Sequence, residues 1–225
     1  MKSHRPLPPP RLTLALPKGR LEEQVQTHFA QHGIDFSFSD RKLVAQDNSG
    51  IFEIMLVKNV DLPTYVHHGI AGLGICGEDV LYESGYDFFR LLALPFGGTQ
   101  ICLAAKKELA ETISRHQDWR EAVRNGGLRV ASKFTRFTRD YFQNLGIPVD
   151  LIKLNGSVEL APVLGLAPFI VDLVETGSTL KANNLAVVQV LQKIGVYLVA
   201  NPAYYKYHYR HIDQVLNQIS GQGAQ

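Results

Sequence analysis

The sequence predicts an α/β protein of two lobes, with mainly parallel sheets, around a central cleft. Three observations carry that reading. Strand-like and helix-like segments alternate almost throughout, the pattern of parallel strands joined by crossover helices. The alternation falls into two series, separated after about residue 105 by the polar helical tract "KKELAETISRHQDWREAVRNGG". A chain of 225 residues, 45% of them hydrophobic, can supply one large core or two small ones.

In the first series "RLTLALP" (11–17) is a strand by its apolar run, and Gly19 to His32 carries helical periodicity. "IFEIMLV" (51–57) is a strand. "LPTYVHHG" (62–69) is a short helix closed by Gly69. "GLGICG" (72–77) is a buried strand with glycine ends, and "FFRLLALPF" and "ICLAAKK" are two longer strands. In the second series "RVASK" (129–133), a helix to Leu145, "DLIKL" (150–154), a helix from Ser157 and "FIVDLV" (169–174) follow in turn. A last helix spans about Tyr207 to Ser220. The prolines of "MKSHRPLPPP" (1–10) imply a short, flexible, extended arm.

Composition removes several functions. Lys and Arg number 23 against 21 Asp and Glu, with no long basic run, so nothing demands nucleic acid. The nearest basic aromatic stretch, "YYKYHYRH" (204–211), reads as the start of an amphipathic helix. No apolar run approaches the ~20 residues of a membrane span, and the N-terminus has no apolar segment of a secretory signal. Cys76 and Cys102 form neither metal nor redox spacing and read as two small buried hydrophobes. A reducing cytoplasm fits. His67 and His68 are adjacent on a helix and point apart, which argues against joint metal ligation.

"VDLVETGSTL" (171–180) is the motif with most chemistry. A strand ends in an acid and a glycine ringed by hydroxyls, where a helix begins. Unpaired amides at a helix start favour an anion, Gly177 permits close approach, and Thr176, Ser178 and Thr179 add donors. Asp172 and Glu175 would repel a bare phosphate but accept hydrogen bonds from ribose hydroxyls. The stretch therefore reads as a cradle for a ribose 5-phosphate; a plain capped strand-to-helix turn gives the same local pattern. It lacks the Gly-Lys-Ser/Thr ending of a P-loop.

The longer segment "SVELAPVLGLAPFIVDLVETGSTL" resembles the signature of the ATP phosphoribosyltransferases, the first enzymes of histidine biosynthesis. Glu159, Gly165, Ala167, Ile170, Asp172, Leu173, Thr176, Gly177, Thr179 and Leu180 carry the match. "LALPKGRL" (14–21), "DRKL" (40–43), "PTYVHHGIAGLGICGEDVL" (63–81) and "RVASKFTRFTRDYF" (129–142) resemble further parts of the family, so the likeness runs from about residue 11 to about 215. The chain departs from the family at Glu78, where Lys is frequent, and at Gly72, where Asp is frequent. It also lacks a basic residue in Gly97–Gln100, and has Pro168-Phe169 where the family often has Asp-Ala.

The resemblance implies two periplasmic-binding-protein-like lobes of type II: an ATP-side lobe of 11–104 plus 195–225, and a lobe of 105–194 carrying the phosphoribosyl pyrophosphate loop. It implies that adenine N1 of ATP attacks C1 of phosphoribosyl pyrophosphate and pyrophosphate leaves. That nitrogen is unprotonated at neutral pH, so the enzyme must position its substrates and stabilise the leaving charge. Mg²⁺ held by the pyrophosphate, with no protein side-chain ligands, would assist. Glu159, Asp172, Glu175, Thr176, Gly177, Ser178 and Thr179 are then the phosphoribosyl pyrophosphate contacts. Lys18, Gly19, Arg20, Gly77, Asp79 and Lys133 are the ATP contacts. Arg20 and Arg41 are the catalytic cations, because a guanidinium fork matches phosphate oxygens; the resemblance adds that Arg41 reaches a neighbouring subunit. The length resembles the short form of the enzyme. That implies a homodimer which forms a hetero-octamer with a regulatory subunit similar to histidyl-tRNA synthetase, and a catalytic chain insensitive to histidine when alone. The readings without the resemblance are a solute-binding module on the same fold and a phosphoribosyltransferase with another base acceptor.

Overall fold

The computed structural model describes residues 11–39, 41–115, 119–124 and 128–220, of which 122–124 by backbone alone. The arm at 1–10 and Asp40 lie outside the described residues. Contacts divide the chain into two units, Met1–Gly97 with Val196–Gln225, and Gly98–Gly195.

Unit 1 is built on β1 (Leu12–Pro17), with β3 (Phe52–Val57) and β4 (Leu73–Gly77) parallel on either side. β2 (Val44–Gln46) runs antiparallel on β3, and the end of β9 (Leu185–Ala200) runs antiparallel on β4. Side chains alternate across the sheet. Leu12, Leu14 and Leu16 share one core with α1 (Arg20–Ala30) and α9 (Pro202–Ile219). Ala15 and Cys76 face the other core, with α2 (Leu62–His67) and the helix α3 (Glu78–Ser84). Phe29, fully buried on α1, has its ring centroid 5.8 Å from that of Phe52, the rings tilted by 32°; its truncation to Ala would cost about 3–5 kcal/mol. α1 stops where Gly33 turns to φ +78°, with Ile34 N–H returning to the Phe29 carbonyl.

Unit 2 repeats the plan. β6 (Leu128–Ser132) lies between parallel β7 (Val149–Lys153) and β8 (Phe169–Val174), and β5 (Phe89–Lys106) is antiparallel on β8. α4 (Lys107–Ser114) and α6 (Thr135–Asn144) cover one face through Ile113, Phe137 and Phe142. α7 (Leu160–Leu164) and α8 (Ser178–Ala182) cover the other, where Cys102 packs among Ala104, Ala131 and Ala161. Burial pushes the Cys102 thiol up to about 11 and the Cys76 thiol higher still, with Asp79 adding to the latter. Both are the inert hydrophobes expected.

Several elements differ from the sequence reading, in which β2 and α3 have no counterpart. "FFRLLALPF" and "ICLAAKK" form one strand, β5, which continues through Gly97 at φ +70°. β9 has no counterpart in that reading. The helix expected from Ser157 begins only at Leu160, because Ser157 sits at φ +48° outside helical space. α9 begins at Pro202 rather than near Tyr207, since Asn201 caps it by accepting from the Ala203 and Tyr204 amides. Of the tract 106–127, α4 and α5 (Trp119–Arg124) are the described helices. No helix among the described residues is long and apolar enough to cross a membrane.

Candidate functional site

In unit 2 the site residues gather at the carboxyl end of β8. The strand is buried to Val171, then Asp172 is half-buried and Glu175, Thr176, Ser178 and Thr179 are exposed. Gly177 caps α8 at φ +73°, and a Cβ there would find only Val174 Cγ1, 3.9 Å away. Space beside this backbone is therefore open to a ligand. The Thr176 and Ser178 hydroxyls lie 3.0 Å apart, and the Ser178 amide leans on Thr176 Oγ1 at a long 3.4 Å. Such weak internal partners leave donors for an anion. Leu180, buried, anchors the turn to the core.

Asp172 is held in place. Its Oδ1 accepts the Leu173 amide at 2.8 Å and the Lys133 ammonium at 3.2 Å. Lys133 follows β6, the parallel neighbour of β8, with Ser132 opposite Val171. Ser132, fully buried, donates its hydroxyl to the Val171 carbonyl at 2.6 Å and accepts the Phe134 amide at 2.9 Å. Thr138 donates to the Phe134 carbonyl at 2.6 Å. These pegs fix the segment that presents Lys133. The sequence reading assigned Lys133 to ATP and Asp172 to the sugar; the structure joins them as an ion pair. Glu159 is half-buried at the start of α7 without a capping hydrogen bond.

In unit 1, Lys18, Gly19 and Arg20 follow β1 and are exposed. The Lys18 amide donates to the Val57 carbonyl at 3.1 Å, and Gly19 takes φ +103°. The Gly19 amide donates to the Glu22 carboxylate at 3.4 Å. Parallel pairing brings the carboxyl ends of β1, β3 and β4 to one edge, the usual place for ligands in open α/β sheets. Lys58, exposed after β3, joins Lys18 and Arg20 there and was missed in the sequence; only its position directly after a parallel strand marks it. Arg41 is exposed in the turn before β2 at φ +60°, with the Lys42 amide donating to the Ser39 carbonyl.

At the end of β4 the chain turns directly into α3. Gly77 is the N-cap of α3. Asp79 is 6% exposed, its charge close enough to raise the Cys76 thiol. Glu78 binds Arg90 at 2.6 Å, and Arg90 lies 5.2 Å over the Tyr197 ring. Gly72 has no room for a side chain: a Cβ would come 2.1 Å from the Tyr204 ring. The Tyr204 hydroxyl accepts the Thr13 amide at 3.1 Å, and the Gly72 amide donates to Thr13 Oγ1 at 2.7 Å. Phe169, a further departure from the family pattern, is buried in the unit 2 core. His67 stacks on Tyr86 with ring centroids 4.0 Å apart.

Residues 58–221 match the family model of ATP phosphoribosyltransferase. The ATP phosphoribosyltransferase of Thermoanaerobacter pseudethanolicus is 39% identical over 211 residues, 92% of this chain and 94% of its own. That of Caldicellulosiruptor saccharolyticus is 43% identical over 210 residues, 92% and 96%. Among solved structures, the ATP phosphoribosyl transferase (HisG:HisZ) complex from Thermotoga maritima aligns with TM-score 0.75 and 32% identity, over 93% of this chain and 97% of that one. The BvgS VFT2 domain of Bordetella pertussis aligns with TM-score 0.57 over 93% and 86%; at 13% identity the likeness is one of fold alone.

Proposed function

This chain belongs to the ATP phosphoribosyltransferase family, and we propose that its two strand-end turns divide the work of that reaction. The chain transfers the 5-phosphoribosyl group of phosphoribosyl pyrophosphate to ATP, the first step of histidine biosynthesis. In our reading the Thr176–Thr179 turn holds the 5-phosphate, and Asp172, Glu175 and Glu159 receive the ribose hydroxyls. The exposed cations Lys18 and Arg20, with the amides after Gly77, serve the triphosphate of ATP. Arg20 and Arg41 meet the pyrophosphate as its negative charge grows.

The observation that carries this is the open backbone at Gly177 beside weakly satisfied hydroxyl and amide donors. The step itself needs no activated protein nucleophile. Adenine N1 brings its own lone pair; the C1–O bond breaks and its electrons depart with the pyrophosphate. The Lys133–Asp172 pair, with the Leu173 amide, keeps one carboxylate aimed, so that it accepts from ribose rather than turning to solvent. Among the described residues no group of three or more His, Cys, Asp or Glu could hold a metal ion. Mg²⁺, in this reading, would arrive with the pyrophosphate rather than on protein side chains and would supply charge neutralisation.

The test is to mix the chain with magnesium, ATP and phosphoribosyl pyrophosphate and follow the absorbance and mass of an N1 adduct of ATP. Adduct with guanine or hypoxanthine nucleotides instead of ATP would overturn the acceptor assignment. We further propose a regulatory partner like the second component named in the Thermotoga maritima complex. Turnover of the chain alone should then be indifferent to millimolar histidine and become inhibitable when the partner is added. Saturable inhibition by histidine without a second protein, and not competitive with ATP, would refute this.

A further inference from the structure

We propose that Lys193 and Gln100 form a diphosphate-binding subsite beside the Glu175–Thr179 turn. The inference rests on the phosphoribosyl reading of that turn and extends it to residues outside the family signature. Unit 2 carries an open cavity of about 340 Å³ whose walls include Thr99, Gln100, Glu175 and Lys193. That volume is at the low end for small-molecule sites. Three separate segments build it: β5 supplies Thr99 and Gln100, β9 supplies Lys193, and the end of β8 supplies Glu175.

The cavity and the turn are fixed to each other. Gln100 is the ladder partner of Val174, the residue before Glu175. The Thr99 hydroxyl donates to the Val174 carbonyl at 3.2 Å. The β8 terminus is thereby clamped to the wall that carries Gln100, so a ligand spanning turn and cavity would meet a rigid frame.

The chemistry of the walls selects a ligand with two kinds of group. Lys193 offers a point cation and Gln100 an amide donor, which suit phosphate oxygens. Among the described residues Lys193 forms no ion pair, in contrast to Lys133, whose charge is directed to Asp172. Glu175 shares the cavity and would repel an anion held against it, but it accepts from hydroxyls. A sugar carrying phosphates at both ends satisfies all three. Its 5-phosphate would lie on Thr176–Thr179, its hydroxyls at Glu175, and its C1 diphosphate beyond Glu175, on the side of Lys193 and Gln100. The order of groups along the ligand matches the order of residues from turn to cavity.

Three ligands separate the possible sources of phosphate: magnesium pyrophosphate, ribose 5-phosphate and ATP, each titrated calorimetrically into the full chain. Lys193→Met should weaken pyrophosphate about tenfold, the loss of one charge-assisted hydrogen bond, and Lys193→Arg should restore most of it. Ribose 5-phosphate and ATP should bind to Lys193→Met as to the native chain. Thr179→Ala should show the reverse preference, losing ribose 5-phosphate and keeping pyrophosphate. The subsite is overturned if the native chain binds no pyrophosphate, if Lys193→Met binds it normally, or if that variant weakens all three ligands alike. If Thr179→Ala keeps ribose 5-phosphate, the turn reading fails, and the pyrophosphate titration of Lys193→Met still decides the subsite by itself.

Discussion

Units 1 and 2 each end a buried parallel strand in the same way and then dress that ending with opposite charge. After β1 the chain passes through Gly19 at φ +103° into α1; after β8 it passes through Gly177 at φ +73° into α8. In unit 1 the flanking side chains are Lys18 and Arg20, and the Gly19 amide is already met by Glu22. In unit 2 they are Glu175, Thr176, Ser178 and Thr179, and the Ser178 amide meets only a hydroxyl. In the proposed reading one backbone device thus makes two sites. Where the amide is met by the protein's own carboxylate, the proposed reading gives the binding to long cations, which suit a highly charged, extended phosphate chain. Where the amide has only a distant neutral acceptor, the backbone itself would, in the proposed reading, take a phosphate, and the acids nearby would suit the sugar attached to it.

The largest test of this contrast is to remove the cations. Arg20→Ala and Arg41→Ala should each lower kcat by about a hundredfold, the scale of losing one preorganised donor to developing negative charge, with much smaller rises in either KM. Acid-side residues should behave differently: variants at Glu175 should raise the KM for phosphoribosyl pyrophosphate first. If the arginine variants raise KM for ATP and leave kcat intact, these residues bind the ground state and their catalytic assignment is wrong.

Much of this contrast could be read before any coordinates. β1, β3, β4, β6, β7 and β8 are apolar runs bounded by glycine, proline or charge, and "ETGST" announces a turn by its own composition. What escaped depends on pairing across the chain. β9 carries Gln189, Gln192 and Lys193 among its apolar residues, so its sequence resembles no simple strand pattern. β5 seemed to be two strands because Gly97-Gly98-Thr99 interrupts it; the Gly97 Cβ position is crowded by Val196 at 2.9 Å, so the glycine there serves close packing within a continuous strand. The Lys133–Asp172 and Glu78–Arg90 pairs link residues far apart in sequence, and no local pattern reveals them. The Gly72 departure acquires its reason only when Tyr204 of α9 is seen in the space a larger side chain would need.

A finer test exchanges the two glycines for alanine. Both hold positive φ, where a Cβ costs about 1–2 kcal/mol, and neither would clash, so the backbone alone is perturbed. Gly177→Ala should weaken phosphoribosyl pyrophosphate roughly tenfold, in line with that cost, and leave ATP binding near native. Gly19→Ala should do the opposite. Calorimetry of both substrates on both variants gives a crossed pattern if the turns are specialised. Equal weakening of both substrates by either variant would mean that the turns share their ligands.

The smallest expected effect concerns acid, and it too should divide the units. The described histidines, 28, 32, 67, 68, 208 and 211, all belong to unit 1. His28 lies with Nε2 3.1 Å from the Ile219 carbonyl, its ring 4.7 Å from that of His32 and 5.3 Å from that of Phe96. Burial holds its imidazole below the usual range, charge on His32 adds to this, and the Ile219 carbonyl partly opposes it. His208 is lowered in the same direction by burial and by His211. A lowered value in the fold means that the unfolded chain binds more protons. Stability is therefore intact above the ordinary histidine value of 6.5 and declines as pH falls through it toward the depressed folded values. Carboxylates titrate lower, so between about pH 7 and about pH 5.5 the histidines dominate. Hydrogen exchange followed by mass spectrometry across that range should show protection falling in α1 and α9 before it falls in β6 and β8. His28→Gln should flatten the slope in α1. Uniform loss across both units, or an unchanged slope in that variant, would show that acid sensitivity does not arise from these imidazoles.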